Sequence, residues 1–130
     1  MNSSNLYQET ILDELKNPQN YGELPDADVV VEETNASCGD EVTVFIKTDD
    51  TGYSILDIRW TGVGCAISQA SMSLLSEKIK GMSIAEIQNL SKEEMEELVG
   101  VDQISVGRVK CLMLGLKAVQ KALNLLTINN

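Results

Sequence analysis

Four side chains in this sequence are suited to holding a soft metal or carrying sulfur. Cys38 and Asp40 stand together in "NASCGDEVTVFIK", Cys65 follows in "TGVGCAIS", and Cys111 lies in "GRVKCLML". Three thiolates and one carboxylate complete a tetrahedral set for zinc, with Zn–S near ~2.3 Å. The same thiolates suit an iron–sulfur cluster, in which a carboxylate ligand makes the cluster more labile. The cysteines are far apart in the chain and form no Cys-x-x-Cys pair, so no sequence-local zinc motif is present. On spacing alone, three buried cysteines acting as small hydrophobes account for the pattern equally well. Asp40 alone reads as a solvated carboxylate at the start of a strand. The chain has no histidine, which excludes a Cys–His nucleophile.

The elements that must position these groups follow from the pattern. Ser3 or Ser4 is a cap for a helix to about Lys16, with Tyr7, Ile11, Leu12 and Leu15 on one face. "NPQNYGELPDAD" then breaks it. Val29 to Asn35, Glu41 to Thr48 and Ser54 to Trp60 read as strands with short connections, hence an antiparallel meander. After the glycine turn Gly62-Val63-Gly64 the chain turns helical, from Ala66 to about Lys80. Ser83 with Glu86, and Ser91 with Glu94, are capping boxes for two short helices. A last helix runs from about Arg108 to Leu126, with an apolar stripe of Val109, Leu112, Met113, Leu116, Val119 and Leu123. Cys111 lies beside that stripe, in line with Gly115, Ala118 and Ala122. Strands first and helices after give an α+β fold: one three-stranded antiparallel sheet with helices packed on one face. Each cysteine falls at an element end: Cys38 before a strand, Cys65 between a strand and a helix, and Cys111 in the first turn of the last helix. The helix N-terminus near Cys65 and Cys111 favours the thiolate.

A chain of 130 residues fits one domain, residues 1–130. Its 20 acids against 10 bases give a net charge of −10, which argues against a nucleic-acid partner. That acidity serves solubility, or else a basic protein partner. The N-terminus has neither a basic start nor an apolar stretch, and the longest uncharged run, Trp60 to Ser76, is rich in Gly, Ser and Gln. No signal peptide or membrane span is therefore expected. An odd number of cysteines suits a reducing cytoplasm rather than a secreted disulfide framework.

Taken in order, "NPQNYGELPDAD", "SCGDEVTVFIK", "GVGCAISQASMSLL" and "GRVKCLMLGLKAVQKAL" resemble the IscU/SufU/NifU N-terminal family of iron–sulfur assembly proteins, over about Asn17 to Leu123. The resemblance implies a SufE/NifU-like sheet with helices. It implies a scaffold or sulfur carrier rather than a turnover enzyme, one that takes sulfur from a pyridoxal-phosphate cysteine desulfurase. It further implies a transient [2Fe-2S] cluster, or zinc, on Cys38, Cys65 and Cys111 with Asp40, and apo iron–sulfur proteins as recipients. Cys111 is then the sulfur acceptor, flanked by Arg108 and Lys110 to stabilise anionic sulfur. IscU-type members carry a histidine where this chain has Lys110; "RVKC" looks like the SufU branch, regarded as zinc-dependent sulfur acceptors. The short "LVGVDQISVGRVKC" nevertheless lacks the insertion of that branch, and also the Leu-Pro-Pro-Val-Lys stretch that IscU members offer to a chaperone. Beside these readings stands a zinc-stabilised interaction module without sulfur chemistry.

Overall fold

The structure is a computed structural model; it describes residues 3–35, 39–100 and 106–128. Helix α1 (Ser3–Lys16) is followed by strands β1 (Val29–Asn35), β2 (Asp40–Thr48) and β3 (Ile55–Val63). Helices α2 (Ala66–Ile79), α3 (Ile84–Gln88), α4 (Lys92–Val99) and α5 (Val106–Ile128) complete the chain. The strands form an antiparallel meander in the order β1-β2-β3. This is the α+β arrangement expected from the order of the patterns.

Alternation decides which side of the sheet is buried. In β2, Asp40, Val42, Val44 and Ile46 are buried and the residues between them are not. Val31 from β1 and Ile55, Ile58 and Trp60 from β3 complete the inward face. The helices cover that face alone. Helix α5 is buried on two sides. Leu112, Leu116, Val119 and Leu123 are fully enclosed, and so is the small-residue line of Ala118 and Ala122. That line exists because α2 approaches closely: a Cβ at Gly115 would lie 2.7 Å from the sulfur of Met72. Truncating such enclosed leucines costs roughly 2–5 kcal/mol.

Some local expectations need correction. β3 runs three residues beyond Trp60, so Gly62 and Val63 are strand rather than turn. Leu12 and Leu15 of α1 point outward, at 54% and 38% exposure. The helix instead turns Ile11 toward the core and Glu14 toward α2. The Glu14 carboxylate accepts from Ser73 Oγ at 2.6 Å and from Gln19 Nε2 at 2.9 Å, and these bonds set the helix rotation. The Tyr7 side chain lies outside what is described. The breaker segment is held down by Trp60: the indole Nε1 donates to Gln19 O at 2.8 Å, and Gly22 N donates to Trp60 O at 2.8 Å.

Ser83 and Glu86 form the reciprocal capping box. At Ser91 only half of it exists: Glu94 N donates to Ser91 Oγ, while the Glu94 carboxylate takes the Ser91 hydroxyl rather than its amide. The backbone and hydroxyl bonds from Ser83 hold the Glu86 carboxyl below its ordinary range. A depressed carboxylate stabilises the fold above the unfolded carboxylate range, and loses that contribution as pH falls through its folded value. Ser83→Ala is expected to cost about 1 kcal/mol of stability in a urea titration, the usual value of such a cap.

Candidate metal and sulfur site

β2 and β3 end at the same edge of the sheet. Asp40 is the first residue of β2, and its place in the buried file turns its carboxylate inward. Glu41 pairs with Val63, the last residue of β3. One residue further, Gly64 redirects the chain into α2, and Cys65 becomes the N-cap of that helix. Helix α5 comes alongside and brings Cys111 to the same place. One carboxylate oxygen of Asp40 and the sulfurs of Cys65 and Cys111 all lie within 4.8 Å of one another.

The Asp40 carboxylate is held by one oxygen. Oδ1 accepts the Cys65 backbone amide at 2.9 Å, tying the two strand ends together. Oδ2 is buried and has no hydrogen-bond partner among the described residues. Asp40 as a whole is 2% exposed. A buried carboxylate oxygen without a partner costs free energy. The sulfurs of Cys65 and Cys111 lie within 4.8 Å of one oxygen of this carboxylate. Sulfur and carboxylate donors within such a span fit a tetrahedral zinc or the thiolate corner of a cluster.

Gly64 makes this approach possible, a role beyond that of the glycine turn expected from the sequence. Its φ is +157°, and a Cβ there would lie 2.8 Å from Asp40 Cγ and 2.8 Å from Ser68 Oγ. Ser68, buried one turn into α2, donates to Cys65 O at 2.9 Å and fixes the cysteine's carbonyl. The legible signal was a glycine directly before a cysteine where a strand meets a helix, which marks close backbone approach as readily as flexibility.

The cysteines differ in setting. Cys65, at the N-cap of α2, makes no side-chain cap bond and is half-buried. Cys111 is 2% exposed. Because α5 already begins by Val106, Cys111 sits in the second turn rather than the first. The helix-end field falls off within one turn, so that support for its thiolate is weaker than expected. Cys38 lies outside the described residues; the strand residues that bracket its segment, Asn35 and Asp40, are paired with each other. Arg108 and Lys110 are exposed on α5, beside the buried Cys111 but not among the converging donors.

The chain is similar to known proteins. The profile of the NifU-like N-terminal domain matches residues 6–128. An iron–sulfur cluster assembly scaffold protein IscU of Thermotoga maritima is 37% identical, over 91% of this chain and 92% of its own. A zinc-dependent sulfurtransferase SufU of Bacillus subtilis is 34% identical, over 92% and 90%. Among solved structures, a protein of Fervidobacterium islandicum assigned to iron–sulfur cluster assembly in the SUF system superposes with a TM-score of 0.78 at 33% identity, covering 94% of this chain and 99% of that one. A NifU-like N-terminal protein of Brucella abortus shares the fold at 22% identity and a TM-score of 0.79, over 95% and 96%. Reading, fold and relatives agree, and the chain belongs to the NifU-like N-terminal domain family.

Proposed function

We propose that this protein serves iron–sulfur cluster assembly: it accepts sulfur from a cysteine desulfurase and builds or carries a 2Fe–2S cluster for apo-proteins. The observation that carries the proposal is the convergence of Asp40, Cys65 and Cys111, with one carboxylate oxygen buried and without a hydrogen-bond partner among the described residues. Cys38, two positions before Asp40 in sequence, is the remaining donor. The cluster is cargo, held by thiolates and released. Its work belongs to a reducing cytoplasm, where free thiols persist. Among the described residues no helix is long and apolar enough to cross a membrane.

The residues themselves define the sulfur step. The Cys111 thiolate attacks the outer sulfur of the donor's persulfide. A new S–S bond forms on Cys111, the donor's S–S bond breaks, and the donor cysteine leaves as a thiolate. Cys111 is almost wholly enclosed, so the donor must open the site to reach it. Asp40 is suited to be the exchangeable ligand, because its Oδ1 bond to the Cys65 amide keeps the carboxylate in place when Oδ2 lets go. Arg108 and Lys110, exposed on α5 within three residues of Cys111 in sequence, are suited to favour anionic sulfur.

The donor set also supports a second form, a SufU-like sulfur acceptor that rests with zinc. Zinc, when bound, holds the thiols as thiolates. The protein as isolated is expected to contain about one zinc or iron-based centre per chain, by this count of donors. Elemental analysis of wild type and Cys38→Ala checks it: no metal in wild type, or undiminished metal in the variant, overturns the site. Anaerobic reconstitution with iron and sulfide gives a brown protein under the cluster reading. Zinc content with stimulation of the desulfurase selects the zinc form. Zinc without stimulation leaves an interaction module.

A further inference from the structure

Helix α5 is a basic element in an acidic chain. It carries Arg108, Lys110, Lys117 and Lys121 and no carboxylate, while the whole chain stands at −10. All four bases are exposed. Glu33 of β1 reaches Lys121 at 3.4 Å and Lys117 at 3.9 Å, yet the Lys117 side chain remains 70% exposed. Lys110 has no ion pair among the described residues. Between this helix and the end of β1 runs a groove of about 340 Å³. Val109, Met113 and Leu114 supply apolar lining, Lys110 and Lys117 cationic groups, and Thr34 the strand side. Lys110 directly precedes Cys111 in sequence.

We infer that this groove seats an acidic, extended segment of the sulfur-donating protein, placing an apolar side chain on Val109, Met113 and Leu114 and carboxylates beside Lys110 and Lys117. The inference rests on the sulfur-transfer reading above. Charge complementarity carries it: an acidic segment is attracted to α5 and repelled by the rest of a strongly acidic chain. Such an arrangement sets orientation and speeds encounter more than it adds affinity. It also reverses the expectation of a basic partner drawn from net charge, because the charge that matters is that of the helix bearing Cys111.

The test titrates wild type, Lys110→Glu/Lys117→Glu, the neutral Lys110→Gln/Lys117→Gln and, as a control, Lys92→Glu into the cognate cysteine desulfurase. The readout is the concentration giving half-maximal stimulation. The charge-reversed pair is expected to raise it about tenfold, a typical scale for lost steering. The neutral pair should fall between, and Lys92→Glu, at an exposed position of α4, should match wild type. The wild-type value should rise with salt as screening shortens the range of attraction. Circular dichroism confirms that each variant is folded. Stimulation that survives both lysine pairs unshifted overturns the inference and leaves the proposed function standing. An equal shift in Lys92→Glu also overturns it, since the effect is then one of net charge. Self-association that the lysine variants abolish assigns the groove to a second copy and overturns the donor assignment. No stimulation by wild type overturns the proposed function, and this inference with it.

Discussion

Gly64→Ala is expected to lower zinc affinity by about 10–100-fold, the range seen when the support of a ligand is lost. The alanine side chain would be the only addition, but it has no place to go. Its Cβ would lie 2.8 Å from both Asp40 Cγ and Ser68 Oγ. One is a prospective ligand and the other holds the carbonyl of the next ligand. The backbone at φ +157° adds strain on the order of 1–3 kcal/mol for any residue with a Cβ. The fold should persist, because Gly64 contributes nothing to the apolar core. Competition with a chromogenic chelator gives the affinity, and thermal melting gives the stability. Unchanged zinc affinity in a folded Gly64→Ala protein would show that Asp40 does not need its present position.

Asp40→Asn separates the two jobs of the aspartate. An amide oxygen can still accept the Cys65 N–H that Oδ1 now accepts at 2.9 Å. The amide nitrogen that replaces Oδ2 cannot ligate a metal. Metal affinity should therefore fall by more than about 100-fold, beyond the loss caused by supporting residues alone. The metal-free protein should move the other way, or not at all. A buried carboxylate oxygen without a partner among the described residues is exchanged for a neutral amide group of the same size, so the two burial costs largely offset. The melting temperature of apo Asp40→Asn should equal or exceed that of apo wild type. The rise in melting temperature on adding zinc, which follows from binding to the folded state, should disappear. Calorimetry with and without zinc reads both. A zinc-induced rise equal to that of wild type would remove Asp40 from the ligand set.

The sheet was legible because its signals are local. Alternation in Val42, Val44 and Ile46 and the "DDTG" turn fix β2, β3 and their order. Capping boxes are equally local, and the Ser83 box is as read. The rotation of α1 was not legible: it depends on Glu14 reaching Ser73, a contact 59 positions distant. The same holds at the site. Residue types marked Asp40, Cys65 and Cys111, but the single bond from the Cys65 amide and the space left by Gly64 are tertiary facts. The start of α5 shows the converse error. Apolar periodicity placed it near Arg108, whereas the helix already includes Val106, which changes the electrostatic setting of Cys111.

Asp40 belongs to the same inward file as Val42, Val44 and Ile46. A slip of β2 by one residue would turn that whole file to solvent, and would carry the carboxylate away from the sulfurs of Cys65 and Cys111. The core and the binding site are thus two readings of one strand register. A misregistered chain offers no such converged set of donors, so a metal bound there would select the correctly paired sheet during refolding. Under the proposed function, a metal-affinity titration would also be a folding assay.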